Sequence, residues 1–112
     1  MENKTRTTVR LPLGVRNEML QKIIEMGYGF RGKSKWITEA IESLLSLQDF
    51  EEYVVIADQM TLLTETEALY IPIGVKDSLS RSIVKVRKRY PELEGVQSCI
   101  IRSSIIQRLL RT

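Results

Sequence analysis

The 112-residue chain has no histidine, one cysteine, three prolines and few aromatic residues. Without histidine, it lacks the commonest general base and metal ligand of enzymes. One cysteine can form neither an internal disulfide nor a cysteine cluster for zinc or iron–sulfur, which is typical of a reducing compartment. No apolar run is long enough for a membrane-spanning helix, and the first residues do not resemble a signal peptide. We therefore expect a cytoplasmic protein without a metal or cofactor.

The chain contains an internal repeat. Arg10–Arg16 (RLPLGVR) recurs sixty positions later as Tyr70–Lys76 (YIPIGVK). In each copy an alternating, β-like stretch runs into a proline, which suits the first turn of a helix. An apolar stripe with helical spacing follows, made of Val15, Met19, Ile23 and Met26 in one copy and Val75, Leu79, Ile83 and Val86 in the other. A second helix is predicted in each copy, with Ser34 and Ser98 as N-caps.

The charge distribution divides the chain into three parts. Residues 1–47 carry eight Lys and Arg against five Asp and Glu, and residues 65–112 carry nine against five. Residues 48–64 carry four acids and no base. We interpret 1–47 and 65–112 as two basic units and 48–64 as an acidic, partly helical connector. Either unit alone would bury too little surface, so we expect a shared core. Two basic units favour a polyanion as partner.

The order strand, proline, helix, glycine-rich turn, helix resembles the ribbon–helix–helix family of DNA-binding proteins. The resemblance rests on Thr8–Pro12 (TVRLP) and Gly32–Ile41 (GKSKWITEAI), and the second copy matches in pattern. It implies a mainly α fold with a two-stranded antiparallel ribbon, in which two ribbon–helix–helix units form an intramolecular pseudo-dimer. In that family the ribbon enters the DNA major groove and the second helix begins at a phosphate. A tandem version in one chain is similar to the TraY-type accessory proteins of plasmid conjugation and to some single-chain regulators of mobile elements and viruses.

The resemblance implies two sets of DNA contacts. Base contacts would come from Arg6, Thr8 and Arg10 in the first copy and from Thr66, Ala68 and Tyr70 in the second. Phosphate contacts would come from Lys33, Ser34, Lys35 and Ser98. Arginine suits guanine O6 and N7, whereas the second strand lacks charged residues and either makes weaker base contacts or only completes the ribbon. We therefore predict an asymmetric DNA site, with the stronger contacts on the side of the first copy.

The predicted function is sequence-preferring binding of double-stranded DNA by a transcriptional regulator or, alternatively, by a relaxosome accessory protein. Its further partners could be other copies along the DNA, or a relaxase. A protein-binding module is an alternative from another class. Gly27–Ser34 (GYGFRGKS) also matches the P-loop string GxxxxGK[ST] of NTPases. That motif needs a strand before the loop, whereas a helical pattern precedes it here. No residues form a catalytic pattern, so we predict no enzyme activity.

Overall fold

Two strands and five helices make up the described part of the computed structural model, residues 3–29 and 31–111. In chain order they are β1 Lys4–Leu11, α1 Leu13–Glu25, α2 Lys33–Leu45, α3 Phe50–Asp58, β2 Glu65–Pro72, α4 Ile73–Arg89 and α5 Val96–Arg111. The strands pair antiparallel in one sheet. The prediction of a mainly α fold with a two-stranded antiparallel ribbon is confirmed. Helix α3 lies within the connector.

A proline marks the passage from strand to helix in both copies. Pro12 is the N-cap of α1 and Pro72 the N-cap of α4, both with extended backbone (ψ 149°). A proline has no N–H for the strand ladder, and its fixed φ suits the entry of a helix. Helix α4 has 17 residues against 13 in α1. This extra turn widens the repeat offset between the second helices to sixty-four, as between Trp36 and Ile100.

The inner face of the sheet covers a core to which both copies contribute. Val9 and Leu11 of β1 and Leu69 and Ile71 of β2 are buried there, next to the fully buried Trp36 of α2. Helix α2 contacts β2, and α5 contacts β1. The second helix of each copy therefore packs on the strand of the other copy, so neither copy encloses the core alone.

The two predicted N-caps are wrong. Helix α2 begins at Lys33 with Gly32 as its N-cap, so that Ser34 is its second residue. The Ser34 hydroxyl instead accepts a hydrogen bond from the backbone N–H of Tyr70 (2.9 Å), because α2 lies against the edge of β2. Helix α5 begins at Val96, directly after Gly95 with its positive φ of 59°, which places Ser98 inside the first turn.

Within the described ranges, no helix combines the length and apolar character needed to cross a membrane.

Candidate nucleic-acid interface

The six residues predicted to contact bases share the outer face of the sheet. This outer face consists of Arg6, Thr8 and Arg10 of β1 and Thr66, Ala68 and Tyr70 of β2. All are exposed except Ala68, which is half-buried. Alternation along each strand produces this face, because the intervening residues turn inward to the core. The surface therefore combines two guanidinium groups, three hydroxyls and the methyl groups of Ala68 and the two threonines.

The register gives the outer face a local two-fold relation. Thr8 lies opposite Ala68, the residue at the same place in the repeat. Arg6 lies opposite Tyr70, and Arg10 lies opposite Thr66. Each end of the face therefore carries one arginine, and both arginines belong to β1. The predicted asymmetry consequently runs across the ribbon, from β1 to β2, and not from one end of the ribbon to the other.

A cleft of about 390 Å³ lies beside the outer face, at the start of α2. We call it the α2 cleft; its cationic lining is Lys4, Arg31 and Lys35, and the acids Glu39 and Glu42 line it too. Ser34 and Tyr70 also line the cleft, so it is continuous with the outer face through Tyr70.

The α2 cleft includes three residues that the sequence interpretation missed: Lys4, Arg31 and Thr38. Thr38 is 8% exposed, and its hydroxyl oxygen has no hydrogen-bond partner among the described residues. Buried hydroxyls ordinarily have a partner, so the unsatisfied hydroxyl of Thr38 is unusual. Basic side chains at positions 4 and 31 were visible in the sequence. Their position beside α2 could not be predicted from the sequence, because it depends on how β1 and the loop before α2 pack in the folded protein.

Lys33, a predicted phosphate contact, belongs to a different cluster. Its Nζ lies 2.7 Å from Oε2 of Glu67, and Nε of Arg16 lies 2.6 Å from Oε1 of the same carboxylate. Glu67 is buried on the inner face of β2. Burial raises the pKa of Glu67, but the hydrogen bonds and charges of Lys33 and Arg16 outweigh it and lower the pKa overall. We call these three residues the Glu67 cluster.

Arg108 of α5 contacts both the loop before α2 and the first residues of α2. The Arg108 guanidinium stacks 4.6 Å from the centre of the Trp36 ring and 5.3 Å from that of Tyr28. It also donates a hydrogen bond to the Trp36 carbonyl (2.7 Å). The Tyr28 hydroxyl donates to Glu39, and this bond is the main reason why the pKa of Glu39 is lowered. These contacts fix the first turn of α2, and with it Lys35, relative to the sheet.

The P-loop string of residues 27–34 does not lie in the setting that this motif needs. The loop follows helix α1, and the described residues form only a two-stranded antiparallel sheet. In NTPases the loop leaves a buried strand, so that its N–H groups converge on the phosphates. Within the described residues, no group of three or more Cys, Asp or Glu side chains could hold a metal ion.

The interface offers two kinds of donor at neighbouring places. The outer face presents guanidinium and hydroxyl groups on a ribbon narrow enough for the major groove, and the α2 cleft presents cations suited to an oxyanion. Ser98, the remaining predicted contact, lies half-buried in the first turn of α5. Comparison of the chain with known protein families, curated proteins and solved structures gives no match.

Proposed function

We propose that the chain is a tandem ribbon–helix–helix protein, folded as an intramolecular pseudo-dimer, that binds double-stranded DNA with sequence preference. The register of the sheet is the observation that carries this proposal. It sets all six residues of the outer face on one exposed surface and pairs Thr8 with its repeat equivalent Ala68. A surface of this kind suits insertion into the major groove.

Arg6 and Arg10 supply the main base contacts in this proposal. They lie four positions apart on an extended strand, a distance of roughly 13 Å, which corresponds to roughly four base pairs. Each arginine donates to O6 and N7 of a guanine, and the Ala68 methyl group between them suits a thymine methyl. The preferred site is therefore non-palindromic, with one guanine contact on either side of a short centre.

The α2 cleft supplies a phosphate contact beside the groove. Lys35 is exposed there, and the first turn of α2 adds its unpaired N–H donors and its dipole. The start of α5 with Ser98 takes the corresponding place for the other copy. Contacts of this kind fix the orientation of the protein on the duplex without reading sequence.

Two biological roles fit this biochemistry: a transcriptional regulator and an accessory protein of a relaxosome. They differ in the place of the bound site, which is a promoter in the first case and a transfer origin in the second. Further copies along the DNA, or a relaxase, are partners for the protein once bound. Footprinting on DNA of the source replicon distinguishes the two roles.

Selection of binding sites from random duplex DNA tests the proposal. We expect an enriched, non-palindromic motif for the wild type and none for the double variant Arg6→Ala/Arg10→Ala. Arg81→Ala/Arg87→Ala is the control matched in charge, since both arginines are exposed on α4. If the wild type enriches no sequence, or both double variants lose the motif equally, the outer face does not read DNA.

A further inference from the structure

The Glu67 cluster has a counterpart with different chemistry in the other copy. Gln97 accepts a hydrogen bond from Nζ of Lys76 (2.7 Å) and donates one to the hydroxyl of Thr7 (2.8 Å). By the offsets of the repeat, Lys76 corresponds to Arg16, Gln97 to Lys33 and Thr7 to Glu67. The same three elements are thus joined in both copies: a first helix, the start of a second helix, and the strand of the other copy.

This comparison separates the structural role of the cluster from its charge. Around Thr7 the connection is made by one cation, an amide and a hydroxyl, without any acid. Joining elements of these three kinds therefore does not by itself require an acid. At Glu67 the carboxylate accepts from two cations at 2.6 and 2.7 Å, which are distances of strong, charge-assisted hydrogen bonds.

Carboxylate and phosphate compete for the same donors. The side chains of Arg16 and Lys33 are 36% and 31% exposed, so both reach the surface, and Lys33 opens the helix whose start lies beside the outer face. A phosphate that drew both cations away would leave the Glu67 charge buried and uncompensated, which is strongly unfavourable. Both cations are therefore withheld from the DNA backbone while Glu67 is ionised.

We propose that Glu67 occupies Arg16 and Lys33 and thereby limits the sequence-independent affinity of the protein for the phosphate backbone of DNA. This inference rests on the proposed DNA-binding function. Base contacts on the outer face are unaffected by it, because Glu67 points inward. Removing its charge thus raises affinity for every duplex, preferred or unrelated, because the freed cations bind the phosphate backbone, which is the same in all sequences.

A reciprocal pair of isosteric variants tests this role. Glu67→Gln replaces the acid by the amide found in the other copy, and Gln97→Glu places an acid beside Lys76. Affinities for the selected duplex and for an unrelated duplex are measured by fluorescence anisotropy over a series of KCl concentrations. For Glu67→Gln we expect several-fold tighter binding to the unrelated duplex and a salt slope steeper by roughly one to two units, since each phosphate neutralised adds about 0.9. For Gln97→Glu we expect weaker binding to both duplexes and a slope shallower by roughly one unit.

The outcomes separate this inference from the proposed function. If Glu67 only holds the fold, Glu67→Gln lowers the Tm and leaves the salt slope unchanged, and the inference is wrong. If the Glu67→Gln variant does not fold, an unchanged salt slope for the Gln97→Glu variant also contradicts the inference. If the wild type binds neither duplex at low salt, the proposed function fails and this inference fails with it.

Discussion

At the scale of single residues, neighbours in the sequence at the start of α2 have different contacts in the folded protein. Lys33 and Lys35 are two positions apart in the same helix turn, yet Lys33 pairs with a buried carboxylate and Lys35 is exposed beside the α2 cleft. Ser34, between them, accepts a hydrogen bond from β2. Three adjacent residues that the family resemblance treats alike therefore have three different surroundings.

Arg10 is the residue whose substitution most directly probes base contact. Its side chain is on the outer face, while its carbonyl accepts a hydrogen bond from Arg102 (3.1 Å), which anchors the backbone independently of the side chain. We expect Arg10→Ala to cost about 1–3 kcal/mol of binding free energy and to relax preference at one base pair. Affinities for a set of single-base variants of the selected site measure this. Unchanged affinity and preference would remove Arg10 from the base contacts.

Lys35 probes the phosphate contact. We expect Lys35→Ala to weaken binding to all duplexes alike and to reduce the salt slope by roughly one unit, because one fewer counterion is released. Titrations of two unrelated duplexes at several salt concentrations measure both effects. Lys85→Ala, which removes an equally exposed lysine from α4, is the control. A loss confined to one sequence would contradict the phosphate assignment.

The carboxylates of Glu67 and Glu39 link folding stability to pH. The pKa of both is lowered from the ordinary 4.5 in the folded protein, so each stabilises the fold above that pH and loses this contribution as the pH falls through the folded value. We expect the free energy of unfolding of the wild type to decline below about pH 4.5, and that of the Glu67→Gln variant to decline less steeply. Urea denaturation at several pH values between about 3 and 7, which covers the range in which carboxylates titrate, measures the free energy of unfolding. Glu92→Gln, at an exposed acid, is the control. Equal acid slopes in all three proteins would contradict the assignment.

At the scale of elements, the turn between α1 and α2 sets the geometry of the interface. Gly32 caps α2 and packs directly on Tyr28, where a Cβ atom would approach the Tyr28 carbonyl oxygen to 2.5 Å. Tyr28 is itself held by Arg108 and Glu39. A change in this turn is therefore transmitted to the first turn of α2, and to Lys35.

Gly32→Ala tests this close approach. We expect a loss of about 1–3 kcal/mol in the free energy of unfolding, as for other overpacked sites. Gly14→Ala is the matched control, because a Cβ there meets nothing within 4 Å in the first turn of α1. Chemical denaturation of both variants measures the difference. Equal stability of Gly32→Ala and Gly14→Ala would show that the turn relaxes without cost.

At the scale of the whole molecule, the two copies are interleaved within one chain. Each second helix packs on the strand of the other copy, and the connector helix α3 packs on α4 and α5. Arg89, at the end of α4, pairs with Glu52 of the connector (2.9 Å). The connector is thus part of the packed structure, and its helix α3 agrees with the partly helical connector that the sequence predicts.

An interleaved chain of this kind needs no second copy to complete its core. We expect the dilute protein to sediment as a folded monomer with cooperative unfolding, because the buried side chains of both copies meet within one polypeptide. Analytical ultracentrifugation over a range of concentrations measures the mass. An obligate dimer would mean that the strands pair between chains.

Much of the fold could be predicted from local pattern. The alternation of residues 5–11, the prolines at 12 and 72 and the apolar stripes act through short-range physics, so the strands and helices follow from the sequence. The start of α2 did not follow, because Ser34 satisfies a donor of β2, 36 positions away, in place of its own helix.

The sequence by itself determined the repeated elements and which strand residues share a face, because side-chain alternation is a property of the strand alone. Tertiary structure alone decided the register that places Tyr70 opposite Arg6 and Thr66 opposite Arg10, and the salt bridge between the inward carboxylate of Glu67 and Lys33. Both depend on contacts between segments far apart in the chain. No periodicity encodes which residue stands opposite another, since shape and charge across the packed core decide it.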